Sequence, residues 1–108
     1  MQNYNLPDAN TNNTFNGAVF TFPGMEFARN SDVANIDIAP GFGLAPVLQL
    51  STQSGSLEID PANAINIVPF LVALPPGLYH WDLKITFADG RIKTYIGGKW
   101  RINPIITV

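Results

Sequence analysis

The chain has 108 residues, no cysteine and a formal net charge of -2 at pH 7, so its length predicts a single domain and its composition excludes disulfides and thiolate metal sites. The longest apolar stretch, residues 68–78, contains three prolines and one glycine and is far shorter than the roughly 20 residues of a membrane-spanning helix. The first residues show no basic-then-apolar signal segment, so we expect no membrane partner and folding in a reducing cytoplasm.

The charged residues are divided unevenly along the chain. Residues 1–60 contain six acidic side chains and one basic side chain, whereas residues 61–108 contain five basic and two acidic ones, which gives balances of -5 and +3. Complementary potentials of this kind orient neighbouring proteins. We therefore expect the acidic part of one subunit to meet the basic part of the next.

Residues 1–14 are rich in asparagine and threonine and show no periodicity. They predict a flexible N-terminal arm that orders on contact with a neighbour, and residues 15–108 are expected to form one β-sandwich domain. Within that domain, alternating apolar and polar residues predict five short strands before the C-terminal part of the chain. They lie at residues 15–22, 33–39, 47–52, 56–60 and around 65–67.

Two connections contain apolar residues. Phe42 lies between two glycines in the loop after the second predicted strand, and its ring is expected either to cover the core or to be an exposed contact residue. Residues 70–74 are apolar but form too short a segment for a stable helix. They predict a turn or a helical crossover pressed against the end of the core.

A long hairpin is predicted over residues 77–107. Apolar residues occupy the odd positions of 79–87 and, with small residues, the even positions of 92–102, and Asp89-Gly90 lies between the two runs. Gly97-Gly98 indicates a bulge or a close backbone approach, and a bulge there would turn Trp100 outward. The expected core residues of the hairpin are Trp81, Leu83, Ile85, Ile92, Ile96 and Ile102.

About seven or eight short antiparallel strands without a helical pattern predict an all-β, immunoglobulin-like β-sandwich. Tyr79 follows the corner Pro75-Pro76-Gly77 at the start of a core strand. Two environments are expected for it. Its hydroxyl either bonds to the backbone upstream, as the corner tyrosine of that fold does, or lies at the wet edge of an ordinary core ring.

Three segments together resemble one protein family. They are LQLSTQSGSLEI (48–59), LPPGLYHWDLKITFADGRIKTYIGG (74–98) and the ending WRINPIIT (100–107). The chain resembles the small immunoglobulin-like virion proteins of tailed bacteriophages and prophages, in particular the N-terminal module of upper-baseplate and tail-fibre proteins. The similarity begins with YNLPD (4–8) and covers nearly the whole chain, except that residues 22–33 lack the family's D-L-T-G turn.

The resemblance implies a non-enzymatic structural subunit of a phage or prophage-derived particle, in the tail, the baseplate or a fibre attachment. The protein would be located in the virion after assembly in the bacterial host cytoplasm, and its partners would be copies of itself and other virion proteins. Two alternatives stay open. One is a β-sandwich that binds carbohydrate or a host receptor through Phe42, Tyr95 or Trp100, and the other is a capsid decoration protein.

The residues indicate no catalytic, metal or cofactor site. His80 is the only histidine, and it lies near Asp82 without a second imidazole. Asp82 and Lys84 are two residues apart on one strand, which is typical of a solvated charge pair. No serine lies in a G-x-S-x-G context, and no glycine-rich loop precedes a helix that could hold a phosphate. We therefore expect no enzyme activity and no required metal or cofactor.

The basic residues of the hairpin form the candidate interface. On two regular strands they would share the outward face with one aromatic residue. Such a stripe is a solvated face that discourages edge-to-edge pairing, a protein contact, or a nucleic-acid surface, and the negative net charge disfavours nucleic acid. The candidate interface residues are Lys84, Arg91, Lys93, Tyr95, Lys99 and Arg101 of the hairpin, together with Phe42.

Overall fold

The long hairpin is the centre of the fold. In the computed structural model, which describes residues 2–28, 31–41, 43–60 and 62–104, every regular element of the described residues is a strand. No helix in these ranges is long and apolar enough to cross a membrane. The strands are β1 (Gln2–Asn3), β2 (Ala9–Asn10), β3 (Thr14–Phe15), β4 (Ala18–Thr21), β5 (Val33–Ala39), β6 (Leu48–Ser51), β7 (Leu57–Ile59), β8 (Ala64–Ile67), β9 (Phe70–Leu71), β10 (Gly77–Thr86) and β11 (Ile92–Asn103).

The strands form a sandwich of one large sheet and two smaller ones. The large sheet has the order β1-β11-β10-β5-β6, and β2 also pairs with β11. The second sheet has the order β4-β8-β7, and β3 pairs with β9. The strands β1 and β2 run parallel to β11, and the other pairs are antiparallel. The fold is therefore the all-β, immunoglobulin-like sandwich that the sequence predicts.

Aromatic rings join the facing sheets. The Phe20 ring stacks on the Trp81 ring with centroids 5.4 Å apart, and the Phe15 and Trp100 rings meet edge to face at 5.3 Å. Around them, every second residue of β5, β7 and β10 is buried, because successive side chains of a strand point to opposite faces. These residues are Ala34, Ile36, Ile38, Leu57, Ile59, Tyr79, Trp81, Leu83 and Ile85.

A β-bulge at Tyr95 interrupts the alternation of β11. Leu83 pairs with Ile96, but the next residue of β10, Lys84, pairs with Thr94, so Tyr95 is an extra residue on its strand. A single extra residue exchanges the two faces of a strand. The residues of β11 before the bulge therefore face opposite to the prediction.

Two predictions for β11 are corrected by this bulge. Ile92 is not in the core, because it lies before the bulge and is 67% exposed. Trp100 is not turned outward, because the bulge does not lie at Gly97-Gly98, and the Trp100 side chain is only 1% exposed. Gly98 instead marks the other alternative, a close backbone approach, since a Cβ on Gly98 would collide with the carbonyl oxygen of Tyr4.

Residues 2–11 lie along the outer edge of β11, within the segment 1–14 for which the sequence predicts a flexible arm. The N–H of Tyr4 donates to the Gly97 carbonyl at 2.9 Å, and the N–H of Leu6 donates to the Lys99 carbonyl at 3.0 Å. The Leu6 side chain is buried. The segment therefore completes the large sheet from within the same chain.

Changing Gly98 to alanine is expected to displace residues 2–6 from β11, because the added methyl group would meet backbone rather than a flexible side chain. We expect a loss of about 1 to 3 kcal/mol in the free energy of unfolding and faster hydrogen exchange at the Tyr4 and Leu6 amides. Gly77→Ala on β10 is the control, because its Cβ would make only an ordinary contact. Unchanged exchange at both amides in the Gly98 variant would contradict this packing.

Residues 70–74 begin with the two-residue strand β9 instead of forming the predicted turn or helical crossover. Phe70 pairs with Phe15 across β9 and β3. The chain then continues with hydrogen bonds from the Val72 N–H to the Asn13 carbonyl at 2.9 Å and from the Asn12 N–H to the Val72 carbonyl at 2.8 Å. The buried Val72 side chain closes this end of the core, as the apolar composition of the segment indicates.

Asp32 is a buried charged side chain in the connection from β4 to β5. Its Oδ2 accepts a hydrogen bond from the Ala28 N–H at 2.9 Å, and its Oδ1 accepts one from the Ala88 N–H at 3.1 Å. Both oxygens are thus paired with backbone donors, as a buried carboxylate requires. The side chain joins this connection to the turn of the hairpin.

Tyr79 is the corner tyrosine. Its ring is buried, and its hydroxyl donates to the Pro75 carbonyl at 2.6 Å. Burial also raises the pKa of the Tyr79 hydroxyl, so the group remains a donor at neutral pH. Of the two environments expected from the sequence, the bonded corner is the one observed.

Tyr79→Phe is expected to lower the free energy of unfolding by about 0.5 to 1.5 kcal/mol, because it removes this bond and leaves the Pro75 carbonyl without it. Urea denaturation measures the change. Tyr95→Phe is a matched control, since the described residues provide no hydrogen bond to the Tyr95 hydroxyl. Equal stabilities of the two variants would contradict a role for the corner bond.

Candidate interface

The outward face of the large sheet carries most of the polar side chains that the sequence singles out. His80, Asp82 and Lys84 lie at alternate positions of β10 and point away from the core. They line a groove of about 690 Å³ between the N-terminal strand and the loop that follows β5. Other residues that line the groove are Asn3, Asn5, Asp37, Leu44, Pro46 and Lys99.

Two carboxylates face each other across neighbouring strands of this groove. Asp37 of β5 pairs directly with Asp82 of β10, an arrangement that is destabilising when both groups are charged. The Lys84 ammonium lies 3.4 Å from Asp37 Oδ2 and 4.0 Å from Asp82 Oδ1, and Gln49 Nε2 donates to Asp37 Oδ1 at 3.0 Å. Lys84 therefore compensates acidic neighbours of its own chain.

The pKa of Asp82 is raised, first by burial and further by the Asp37 charge, while Lys84 opposes the shift. A carboxyl group with a raised folded-state pKa binds its proton more tightly in the folded than in the unfolded chain. Its contribution to stability is complete below the ordinary pKa of 3.8. That contribution is lost as the pH rises through the folded-state pKa.

Asp82→Asn is therefore expected to be more stable than the wild type at pH 7, with an advantage that shrinks as the pH falls toward 3.8. Asp89→Asn is the control of opposite sign. Hydrogen bonds from the Arg91 backbone N–H and from the Arg91 side chain lower the pKa of Asp89. Removing the Asp89 carboxylate is therefore expected to lower the stability at pH 7, and this loss becomes smaller as the pH falls. Thermal melting across pH measures both, and parallel curves for the two variants would contradict these environments.

The basic residues of the hairpin do not form one stripe. Lys99 and Arg101 are exposed on the outward face, together with the compensated Lys84. Lys93 lies before the bulge, and its ammonium is 5.1 Å from the centroid of the Tyr95 ring. The prediction of a single outward stripe is therefore wrong, because the bulge places Lys93 and Tyr95 on the other side of the strand.

The Arg91 side chain contacts neighbouring residues in the turn of the hairpin. The Arg91 Nε donates to Asp89 Oδ2 at 2.7 Å, and its guanidinium lies 5.0 Å from the centroid of the Phe87 ring. Both contacts are exposed, so they contribute little to stability. Arg91 is thus held at the end of the hairpin, apart from Lys99 and Arg101.

The aromatic candidates have different environments. Tyr95 is half-buried and packs against Phe22 with ring centroids 5.5 Å apart, and Trp100 is fully enclosed in the core. Trp100 therefore does not offer a face to a ligand in this structure. Phe42 lies outside the described residues, although its neighbours Gly41 and Gly43 line the groove.

The serine hydroxyls of residues 51–56 form hydrogen bonds within their own segment. Ser54 Oγ lies 2.7 Å from Ser56 Oγ, and Ser56 Oγ accepts from the Ser51 N–H at 2.9 Å, so these hydroxyls shape the turn after β6. Within the described ranges, no group of three or more histidine, aspartate or glutamate side chains is placed to hold a metal ion.

Asn3 and Asn5 belong to the groove but were missed from the sequence. Asn5 Oδ1 accepts a hydrogen bond from the Lys99 N–H at 3.1 Å, so the side chain supports the edge of β11. A signal was present, because polar Asn3 and Asn5 alternate with apolar Tyr4 and Leu6. This run is short, and the asparagine-rich composition around it is more typical of a loop.

Comparison with models of protein families finds no match, and comparison with curated proteins finds none either. Among solved structures, the chain is similar to CopC from Methylosinus trichosporium OB3b, with a TM-score of 0.54 and 14% sequence identity over 94% of this chain and 86% of the CopC chain. At this identity the similarity concerns the fold alone. It agrees with the sheet topology, and the chain is an immunoglobulin-like β-sandwich.

Proposed function

We propose that this protein is a non-enzymatic structural subunit of a phage or prophage-derived particle, in the tail, the baseplate or a fibre attachment, and that it acts through protein–protein contacts. The observation that carries the proposal is the resemblance of residues 74–98 and 100–107 to phage virion proteins. Within these segments, residues 77–103 form the central hairpin, including the Tyr79 corner and the buried Trp100. The resemblance therefore concerns residues on which the fold depends.

The proposed contact surface is the outward face of the large sheet around Lys99 and Arg101. Both side chains are exposed, and no carboxylate of the described ranges forms an ion pair with either of them. Glu58 is exposed on β7 of the opposite sheet. Because the outer faces of a sandwich point in opposite directions, a face-to-back contact would bring Lys99 and Arg101 of one subunit toward Glu58 of the next.

The double variant Lys99→Glu/Arg101→Glu tests this contact. We expect it to fold normally, because both side chains are exposed, and to be incorporated poorly into particles made by a host strain that carries the gene. Lys99→Gln/Arg101→Gln separates the loss of charge from its reversal and is expected to have a smaller effect. Normal incorporation of the charge-reversed protein would contradict the proposed surface.

Salt provides an independent test of the same contact. Charges exposed to solvent are screened over about 10 Å at 0.1 M salt, so an electrostatic face-to-back assembly is expected to dissociate as salt is added. Sedimentation of the purified protein at low and high salt measures this. An assembly that is equally stable at both salt concentrations does not depend on the basic face.

The groove on the large sheet favours carbohydrate binding as a second candidate function. Asn3 and Lys99 provide hydrogen-bond donors, and Asp82 provides acceptors, in a groove of about 690 Å³. Such a lining suits a hydroxyl-rich ligand. A glycan array probed with the free protein tests this function. Specific binding that Asp82→Ala and Asn3→Ala abolish would favour it over a purely architectural role.

A further inference from the structure

The strand β4 forms an edge of the smaller sheet. Its neighbour on one side is β8, and the sheet order β4-β8-β7 places no strand of the described residues on its other side. An edge strand presents unpaired backbone groups that can accept a strand from another chain. The register of β4 against β8 determines which of its N–H and C=O groups are available to another chain.

The register shows that Val19 and Thr21 face the open side. The Phe22 N–H donates to the Asn63 carbonyl at 2.7 Å, and Phe20 is paired with Ile65 in the same register. In an antiparallel ladder, alternate residues direct both their N–H and C=O groups to the same neighbour. Because Phe20 and Phe22 bond to β8, the N–H and C=O groups of Val19 and Thr21 point away from it.

The strand β4 and the segments that flank it in the sequence carry no charge. Residues 9–25 contain no acidic or basic side chain. Val19 is 63% exposed and Tyr4 is 44% exposed, and the Tyr4 ring lies 5.7 Å from the ring of Phe20. An uncharged edge with exposed apolar side chains is the kind of strand that pairs with another strand.

Three other strands, β6, β7 and β11, differ from β4 in what pairing at their outer side would require. A two-fold pairing of β7 would place Glu58 directly opposite its own copy, which like charges disfavour. On β6, the outward N–H of Ser51 is already bonded to Ser56 Oγ. The outer side of β11 is covered by residues 2–10 of the same chain. Unlike β7, β4 can pair with an identical strand without bringing a charge against its like.

We propose that two copies of this protein pair through β4 in antiparallel orientation, about a two-fold axis at Phe20. In this register, Val19 exchanges two backbone hydrogen bonds with Thr21 of the partner subunit, and Thr21 exchanges two with Val19 of the partner subunit. The smaller sheets then join into one sheet of six strands. A two-fold contact uses the same surface on both copies, which suits an uncharged edge. The inference deepens the proposed assembly role, on which it rests, by adding a second contact surface, separate from Lys99 and Arg101, and by naming a second copy of the chain as its partner.

Sedimentation equilibrium of the purified full chain over a range of concentrations tests the pairing. At high salt, where the face-to-back contact is screened, the wild type is expected to remain a dimer that dissociates on dilution. Val19→Pro removes an outward N–H that does not bond to β8, so the dimer dissociation constant is expected to rise about tenfold or more. Val19→Thr retains the N–H and the β-branched shape, and its dissociation constant is expected to match the wild type.

Two further variants keep the test independent of the folding of the proline variant. Val19→Lys adds an exposed charge that lies diagonally across from its copy in the pair, and it is expected to weaken the dimer with high salt restoring part of the affinity. Gln49→Lys on the β6 edge is expected to leave the dimer unchanged. The pairing is overturned by a wild type that is monomeric at all concentrations, or by a dimer that Gln49→Lys weakens and Val19→Lys does not.

The experiments distinguish a failure of the β4 pairing from a failure of the proposed virion role. A monomeric wild type that is still present in particles at fixed copy number would overturn the β4 pairing and leave the virion role intact. A dimer that Val19→Pro disrupts, in a protein absent from particles, would support the pairing and overturn the virion role.

Discussion

Trp100→Ala is expected to lower the free energy of unfolding by about 3 to 5 kcal/mol, the usual cost of removing a buried tryptophan. The side chain is 1% exposed and packs against the rings of Phe15, at 5.3 Å, and Phe70, at 6.2 Å. Its Nε1 also donates to the Pro7 carbonyl at 3.0 Å. The substitution therefore removes a core contact and releases the N-terminal segment together. Urea denaturation measures the loss.

Trp100→Phe separates the two contributions. It retains an aromatic ring but leaves the Pro7 carbonyl without its donor, so we expect a smaller loss that includes about 1 to 3 kcal/mol for the unsatisfied group. Faster hydrogen exchange at the Leu6 amide should accompany it. A Trp100→Ala protein as stable as the wild type would contradict the position of β11 in the core.

Trp81→Ala is expected to have a loss of similar size, about 3 to 5 kcal/mol, for a different reason. Trp81 is 3% exposed and stacks on Phe20 between the two facing sheets, so its removal leaves a cavity at the centre of the sandwich. Because its indole Nε1 has no hydrogen-bond partner within the described residues, Trp81→Phe loses packing alone.

The comparison between the two tryptophans is the control. Trp81→Phe is expected to cost less than Trp100→Phe, since only Trp100 donates a hydrogen bond. The reverse order, measured by urea denaturation under identical conditions, would show that the hydrogen bond to Pro7 adds little to the stability of the N-terminal segment.

Elements with regular alternation could be predicted from the sequence. In β5 and β10 every second residue is apolar, and a period of two assigns each side chain to a face without knowledge of the partner strand. Ala34, Ile36, Leu83 and Ile85 are buried as expected. The sequence also offered the corner at Tyr79 as one of two alternatives, because the residue follows Pro75-Pro76-Gly77 at the start of a core strand.

The features that were missed depend on contacts between distant residues. The bulge at Tyr95 is determined by the register of two strands, and no residue type at that position signals it. The Asp37–Lys84 ion pair joins residues 47 positions apart, so the basic stripe could not be resolved into paired and exposed charges beforehand. The N-terminal segment contains only short runs of alternation, and its attachment depends on the space above Gly98.

The most direct test of the virion role is the copy number of this protein in purified particles. Quantitative mass spectrometry of particles from a host strain that carries the gene, calibrated against the major capsid and tail proteins, measures that number. The proposed function predicts a fixed copy number in every preparation that matches the symmetry of a ring or a trimer. Its absence from purified particles, or a copy number that varies between preparations, would contradict the proposal.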